Sequence, residues 1–252
     1  MKITRDGVEI HYEVHGEGPP ILLTHGYSAT CAMWGPQLEP LGRKFRVIVW
    51  DMRGHGESDA PDDPKAYSEE GTVGDMAAIL DACDARQAVI GGLSLGGYMS
   101  LAFHVRHPER TRALMLFDTG PGYRNHEGRK RWNALAERYA RAFEEKGLDA
   151  LSGSAEVRTS RHCSARGLAA AARGMLAQRD ARVIESLPAV SVPTLVLWGA
   201  DDESFVNPGE YMAKKIPGAV RVVIPGAGHA VNLDQPAAFN AAVIEFLESL
   251  PR

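Results

Sequence analysis

Two kinds of hydrophobic pattern are present along this chain. Short runs that are apolar on both faces are typical of the buried centre of a parallel sheet, where helices cover each side. Four such runs occur before residue 120, at 20–24, 47–50, 88–92 and 113–117. The segments 1–5 and 8–15 instead flank the turn pair Asp6-Gly7, which predicts an N-terminal β-hairpin.

Segments with helical periodicity separate the apolar runs, and this order predicts repeated βα units. The helical segments of the first half are 34–43, 69–84 and 95–106. After residue 187 the alternation resumes, with strands predicted at 193–198 and 219–224 and helices at 208–216 and 236–249. Pro236 suits the first position of the closing helix, and Asp234 or Gln235 is available as its cap.

Residues 122–187 interrupt this alternation, because they are rich in Ala, Arg, Glu and Leu and contain no convincing strand. The segment lies between two βα units, so it fits a helical insertion over the sheet better than a separate domain. We therefore predict an α/β fold with a mostly parallel central sheet flanked by helices. Its core domain comprises residues 1–121 and 188–252, and residues 122–187 form an inserted helical cap.

The predicted cap differs in charge from the rest of the chain. It holds 13 Lys and Arg against 8 Asp and Glu, a net charge of +5, whereas the remainder holds 15 against 24, a net charge of −9. This contrast could help the cap to dock on an acidic body or favour anionic substrates in a covered pocket. An ordinary solvated helical surface would produce the same pattern, and it is the simpler interpretation.

Composition excludes several classes of function. The net charge is −4 and no basic run is present, so we expect no nucleic-acid partner. No apolar stretch approaches the ~20 residues of a membrane helix, and the N-terminus has no signal-peptide core. The cysteines, Cys31, Cys83 and Cys163, are odd in number and far apart, which predicts neither a disulfide framework nor a zinc site. We expect a cytoplasmic protein without a metal or other cofactor; the sequence gives no signal for its oligomeric state.

The strongest chemical signal is the motif Gly92-Leu93-Ser94-Leu95-Gly96. It lies between an apolar run and a helical segment, which is the strand–turn–helix context that a G-x-S-x-G nucleophile requires. Small residues on either side of Ser94 allow the strand and the helix to approach closely. The turn exposes the Ser94 hydroxyl at a helix N-terminus, where unpaired N–H groups favour negative charge. This glycine-rich segment does not contain the lysine that a nucleotide-binding P-loop requires.

A second signal, His25-Gly26-Tyr27, directly follows the strand predicted at 20–24. Acyl transfer to a serine needs N–H donors directed at the developing oxyanion. We expect the backbone N–H of Leu95 to supply one donor and that of Tyr27 to supply the other. His25 is a possible base, but we interpret it as a buried histidine that braces the loop.

A better candidate for the general base is His229, which follows the last predicted strand in the glycine-rich segment Gly226-Ala227-Gly228. His55 also lies in a loop, in the segment DMRGHGES at 51–58, but we interpret that loop as structural, with Asp51 and Arg53 bonded to neighbouring loops. The other histidines lie in strand, helix or insertion contexts.

The imidazole needs a carboxylate that fixes its tautomer and stabilises its charged form. Three aspartates follow strands in the required chain order Ser…Asp…His: Asp118, Asp201 and Asp202. Of the adjacent pair we favour Asp202, with Asp201 facing solvent or holding the loop, and Asp118 remains an alternative.

Five segments together resemble the α/β-hydrolase fold family over essentially the full chain. They are THGY at 24–27, DMRGHGES at 51–58, GLSLGG at 92–97, LWGADD at 197–202 and GAGHAVNLDQP at 226–236. In this family the acid usually stands three residues after the glycine of the LWG segment, which here is Asp202. The resemblance also implies that the helical cap shapes substrate choice. The closing segment is similar to small carboxylesterases and to 3-oxoadipate enol-lactonases.

The resemblance implies a serine hydrolase with the triad Ser94, Asp202 and His229, acting on a small carboxylic ester or lactone. Relatives that hydrolyse haloalkanes or epoxides carry an aspartate nucleophile, so Ser94 argues against both activities. Two other chemistries would use the same triad: hydrolysis of a carbon–carbon bond, and cofactor-free perhydrolysis with haloperoxidase activity. A ligand-binding receptor on a hydrolase scaffold is a third alternative.

For some aromatic residues, the sequence does not decide between a position in the core and a position in the pocket. Trp132, Tyr139 and Phe143 share one helical face in the cap, and we expect that face to pack against the sheet domain. Trp34, just after the Tyr27 loop, could line the pocket or fill the core.

Overall fold

The computed structural model describes residues 1–251, and they form an α/β fold around one eight-stranded sheet. The strands are β1 Lys2–Arg5, β2 Val8–His15, β3 Pro20–Thr24, β4 Arg46–Trp50, β5 Ala88–Leu93, β6 Thr111–Phe117, β7 Thr194–Gly199 and β8 Val220–Ile224. Their order in the sheet is β1-β2-β4-β3-β5-β6-β7-β8. The predicted hairpin and every predicted strand are confirmed.

Strands β3 to β8 run parallel, whereas β1 and β2 form the antiparallel hairpin, with β2 paired to β4. The register pairs Gly92 of β5 with Thr24 of β3 on one side and with Leu116 of β6 on the other. The carboxyl ends of these three central strands therefore meet at one edge. Loops that follow them can bring side chains together that are far apart in sequence.

Within residues 1–251, ten α-helices cover the sheet and its carboxyl edge. They are α1 Gly35–Gly42, α2 Glu69–Ala82, α3 Leu95–Arg106, α4 His126–Lys146, α5 Ala155–Arg158, α6 Ala165–Ala171, α7 Arg182–Ser186, α8 Val206–Lys215, α9 Val231–Asp234 and α10 Pro236–Ser249. One apolar core joins the sheet to α2, α3 and α8, and a second joins its other face to α1 and α10. Both faces are buried, which explains why the central strands are apolar throughout.

The segment between β6 and β7 holds helices α4 to α7, and no strand is assigned there. Helix α4 packs on α6 and on the π-helical turn Ala172–Leu176 that continues it. A small apolar cluster of Ala140, Phe143, Leu168, Ala169 and Ala172 fills this contact. The helical character predicted for residues 122–187 is therefore confirmed.

The closing helix differs from the prediction in how it begins. Pro236 takes its first position as expected, but neither Asp234 nor Gln235 caps it through a side chain. Asp234 instead accepts a hydrogen bond from the N–H of Gly228 (2.8 Å), and the Gln235 amide donates to the carbonyl of Gly226 (3.1 Å). Both side chains are used to hold the loop that carries His229.

Trp34 is fully buried and fills the core, with its ring 6.0 Å from that of Phe117 and 6.4 Å from that of Phe239.

Within residues 1–251, no helix combines the length and the apolar character needed to cross a bilayer.

Candidate active site

Ser94 occupies a strained turn between β5 and α3, with φ of 56° and ψ of −116°. A non-glycine residue at positive φ costs on the order of 1–3 kcal/mol, and such strain persists only where the surroundings impose it. Here the Ser94 N–H donates to the carbonyl of Phe117 (2.9 Å), and the hydroxyl of Thr119 donates to the Ser94 carbonyl (2.6 Å). Both partners belong to β6 and the loop after it, so the neighbouring strand fixes the turn.

The glycines of the motif are required by close backbone contacts. A Cβ atom at Gly96 would lie 2.1 Å from the carbonyl oxygen of Thr24, and one at Gly92 would lie 2.4 Å from the backbone of Gly96. Real Cβ atoms essentially never approach so closely. The two glycines therefore allow α3 to begin directly against the ends of β3 and β5.

Two backbone N–H groups beside Ser94 are free. In the described part of the chain, neither the Tyr27 N–H nor the Leu95 N–H donates to a protein acceptor. Leu95 is the first residue of α3, where helix geometry leaves N–H groups unpaired. Tyr27, Ser94 and Leu95 all line one cavity. The two N–H groups can therefore donate hydrogen bonds to a negatively charged oxygen of a bound molecule.

The loop that carries Tyr27 is held by two buried histidines. The Met52 N–H donates to Nε2 of His25 (3.0 Å), and His25 Nδ1–H donates to the carbonyl of Gly26 (2.7 Å). His55 has the same pattern, since its Nε2 accepts from the Ser28 N–H (3.2 Å). Burial lowers the pKa of His25 to about 4 and that of His55 well below its usual range. Both histidines are structural, as interpreted from the sequence.

The loop 51–58 is likewise a hydrogen-bonded support. Asp51 accepts from the N–H groups of Cys31 (2.7 Å) and Glu57 (2.9 Å), and Arg53 forms a bidentate pair with buried Asp75 (2.7 Å for each bond). These contacts confirm that Asp51 and Arg53 bond to neighbouring segments.

His229 lies in the loop after β8, and its Nδ1 is 2.7 Å from Oδ2 of Asp202. Asp202 is buried in the loop after β7, and its Oδ1 accepts from the Ser204 N–H (3.2 Å). The two loops are close because residue 199 is glycine: a Cβ atom there would lie 2.3 Å from the Ala227 carbonyl oxygen. The contact fixes the proton of His229 on Nδ1 and leaves Nε2 free to act as an acceptor.

The other two candidate acids, Asp201 and Asp118, differ in burial and in their hydrogen-bond partners. Asp201 is exposed, and its N–H donates to the carbonyl of Ala227 (2.9 Å), so it helps to hold the loop. Asp118 is buried directly behind Asp202, and its Oδ1 accepts from the Gly199 N–H (2.9 Å). Burial, together with the neighbouring charge of Asp202, raises the pKa of Asp118 to about 9. Of the three, Asp202 is the one hydrogen-bonded to His229.

Ser94, Asp202 and His229 line a single cavity of about 920 Å³ together with Tyr27 and Leu95. All five residues singled out in the sequence therefore meet at the carboxyl edge of the sheet. The Ser94 hydroxyl and His229 share this cavity, but no hydrogen bond joins them in the described chain. Catalytic hydrogen bonds often become short only when a substrate is bound.

Residues from the helical segment 122–187 also line this cavity. Trp132, Tyr139 and Phe143 of α4 all line it, so the expectation that this face only packs against the sheet domain was incomplete. Tyr139 stacks on Tyr27 (ring centroids 5.9 Å apart), and the Tyr27 hydroxyl donates to the carbonyl of Leu168 (2.8 Å). The Tyr27 loop and the helices of residues 122–187 are therefore in direct contact.

Phe205 and Gln178 are among the lining residues that sequence reasoning missed. Phe205 stacks on the His229 ring (centroids 5.0 Å apart), and Gln178 reaches the cavity from the cap, where its side chain accepts from the Tyr123 N–H (3.1 Å). Phe205 follows Asp202 by about one helical turn, and this spacing could have indicated that the two side chains lie near each other. No sequence signal indicates Gln178, because its position depends on how α4 and the following turn pack.

Outside this cavity, one group of side chains could ligate a metal. His11, Glu13 and Cys31 bring their donor atoms within 4.8 Å of one another. Glu13 is already paired with Nε2 of His11 (3.3 Å) and of His15 (2.8 Å), so these charges are satisfied without an ion. Sequence reasoning did not find this group, because Cys31 comes from a different segment than the strand residues.

A second cavity, of about 620 Å³, lies between segments 61–70 and 166–182. It is lined largely by charged side chains that pair with one another, among them Arg182 with Glu69 (3.2 Å) and Arg166 with Asp62 (2.8 Å). It contains none of the predicted site residues.

Comparison with known proteins agrees with this architecture. The chain is 30% identical over 97% of both lengths to a putative 2-succinyl-6-hydroxy-2,4-cyclohexadiene-1-carboxylate synthase from Bacillus subtilis. It is 29% identical to 3-oxoadipate enol-lactonase 1 from Acinetobacter baylyi, covering 99% of this chain and 97% of the relative. Among solved structures, a thermophilic esterase from Thermogutta terrifontis superposes with a TM-score of 0.83 at 34% identity, over 99% of this chain and 98% of that one. The profile of the Alpha/beta hydrolase family matches residues 21–242, and the chain belongs to that family.

Proposed function

We propose that this hydrolase cleaves a small carboxylic ester or lactone through an acyl intermediate on Ser94. The observation that carries the proposal is the 2.7 Å contact between His229 Nδ1 and Asp202 in the cavity that also holds Ser94. That contact orients Nε2 as a general base, and a base beside a serine is what makes the hydroxyl nucleophilic.

In the proposed reaction, His229 takes the hydroxyl proton of Ser94 as the Ser94 oxygen attacks the substrate carbonyl. The oxyanion that forms is bound by the N–H groups of Tyr27 and Leu95, whose lack of other partners supports this role. His229 then gives the proton to the leaving alcohol, and Asp202 stabilises the imidazolium between these two steps. Attack by a water molecule, with His229 again as base, releases the acid and restores Ser94.

The relatives support this class of substrate. Those with an assigned activity in their names include an enol-lactonase and an esterase, and both cover nearly the whole chain. We further propose that residues 122–187 act as a cap that selects the substrate, because residues of α4 line the cavity that holds Ser94.

The test is hydrolysis of p-nitrophenyl acetate, p-nitrophenyl butyrate and a small lactone by the parent protein and by Ser94→Ala. We expect the variant to lose activity on the order of 10⁴-fold or more, because the hydroxyl that forms the acyl intermediate is removed. Ser249→Ala, at an exposed position in the last helix, is the control and keeps the parent rates. Equal rates for Ser94→Ala and the parent would reject the proposal.

One relative supports a second candidate. The protein from Bacillus subtilis is named as a putative carboxylate synthase, so a similar chain is assigned chemistry other than ester hydrolysis. Carbon–carbon bond cleavage on the same triad predicts that a diketone substrate is split into an acid and a ketone. Product analysis with the diketone, and with acetate plus peroxide for perhydrolysis, separates these reactions from ester cleavage.

A further inference from the structure

Asp118 is a buried carboxyl group that the proposed mechanism does not use. It follows β6 directly, has a left-handed backbone conformation with φ of 38°, and is 1% exposed. Its Oδ1 accepts from the Gly199 N–H, but within residues 1–251 no donor has the geometry of a hydrogen bond to its Oδ2. A buried acceptor without a donor is costly, so the environment of Oδ2 needs an explanation.

The group that faces this carboxyl is a second carboxyl. The Asp118 side chain interacts with the Asp202 carboxyl through a side-chain hydrogen bond, and the backbone N–H groups of Gly199 and Val231 lie beside it. Two ionised carboxylates are both acceptors and repel each other, so a contact of this kind needs one proton between them. With that proton present, Oδ2 is no longer unpaired.

The proton belongs on Asp118 because the two acids have unequal donors. Asp202 accepts from the Nδ1–H of His229 (2.7 Å) and also from the Ser204 N–H (3.2 Å). Asp118 faces no cation and is more deeply buried, which favours its neutral form.

We propose that Asp118 is a positioning residue that stays protonated and donates a hydrogen bond to Asp202, holding that carboxylate in the orientation that His229 needs. The inference rests on the proposed function, since the triad is what it serves. No proton leaves Asp118 during the reaction: its O–H remains the donor while Asp202 stays ionised and His229 exchanges its proton with Ser94 and the leaving group.

The raised pKa of Asp118, about 9, gives this arrangement a pH limit. Above that pH the donor is lost and two negative charges face each other, so turnover should fall as pH rises. The stability of the fold should change with pH in the same direction as turnover. The folded chain keeps a proton that the unfolded chain, with an ordinary pKa of 3.8, has lost, so the free energy of unfolding falls as pH rises from about 4 to 9.

Asp118→Asn separates this role from that of an ionised acid. An amide accepts from Gly199 through its oxygen and donates to Asp202 through its nitrogen, so it imitates the protonated carboxyl. We expect kcat for p-nitrophenyl butyrate at pH 7 to stay within about threefold of the parent value. The loss of activity near pH 9 should disappear, and the variant should resist urea better than the parent at pH 8.

Asp118→Ala removes the donor. We expect its kcat to fall about ten- to a hundredfold at pH 7 with KM changed by less than about threefold, because one hydrogen bond to a charged group is lost while the cavity wall is intact. Asp201→Asn, on the exposed neighbouring aspartate, is the matched control and should leave kcat, the pH profile and the stability unchanged.

The role proposed for Asp118 is overturned if Asp118→Asn lowers kcat a hundredfold or more, if parent and Asp118→Asn have the same alkaline profile, or if Asp118→Ala is fully active. Each of these outcomes leaves the Ser94→Ala test unaffected, so a failure of this inference is distinguishable from a failure of the proposed function.

Discussion

The sheet edge and the cap position their polar side chains in different ways. At the sheet edge, Asp202 is 6% exposed and holds His229 in one orientation, each in a short loop after a strand. In the cap, Arg173 bonds to both Glu137 and Glu144, but its side chain is 39% exposed. Buried, short-range contacts fix geometry, whereas exposed ion pairs contribute little. The reaction chemistry should therefore depend on the sheet edge, and the cap should affect substrate fit.

The largest difference between the two regions should come from the acid. Asp202→Asn cannot stabilise the imidazolium and favours the wrong tautomer of His229, so we expect kcat to fall on the order of 10⁴-fold. Asp201→Asn, one residue away and exposed, should keep the parent rate. Steady-state hydrolysis of p-nitrophenyl butyrate measures both, and a larger loss for Asp201→Asn would assign the acid to the other residue.

The backbone contact beneath Ser94 gives the next effect. Gly96→Ala places a methyl group against the Thr24 carbonyl, and we expect a loss of about 3 kcal/mol in the free energy of unfolding. Gly35→Ala is the control, because nothing lies within 4 Å of a Cβ atom there. Urea unfolding compares the two variants, and equal stability would show that the turn is not tightly packed.

The contact between the two regions can be tested through Tyr27. Tyr27→Phe removes the hydroxyl that donates to the Leu168 carbonyl but keeps the backbone N–H. We expect a loss of about 1 kcal/mol in stability. Hydrolysis of p-nitrophenyl acetate should stay within about threefold of the parent rate. Complete loss of activity would mean that the hydroxyl, and not the N–H, serves the reaction.

The smallest effect should come from the cap surface. Arg173→Gln breaks the pairs with Glu137 and Glu144, and because these groups are largely exposed we expect a change of no more than about 1 kcal/mol in stability. The value should shrink further as salt is added. A large loss of kcat in this variant would contradict the division between the two regions.

The strands, most helices and the candidate site could be predicted from the sequence because each signal was local. Ser94, Asp202 and His229 each stand within a few residues of an apolar run, and parallel strands place such positions at one edge. Glycine at positions 92, 96 and 199 is explained by backbone contacts that the motifs only imply.

The remaining features depend on packing between distant segments. The stacking of Tyr139 on Tyr27 joins residues 112 positions apart in sequence, and Asp118 meets Asp202 only because β6 and β7 are neighbours. From the sequence, Asp118 is one of three candidate acids. Nothing in the sequence indicates that Asp202 lies between Asp118 and His229.

The central claim is that Ser94 is a nucleophile activated by the His229–Asp202 pair. Labelling with a fluorophosphonate probe, followed by peptide mapping, tests it most directly, because the probe reacts covalently with activated serines. We predict one labelled peptide, the one containing Ser94, and no labelling in Ser94→Ala or after heat denaturation. An unlabelled parent protein, or a label carried by a different serine, would contradict the account.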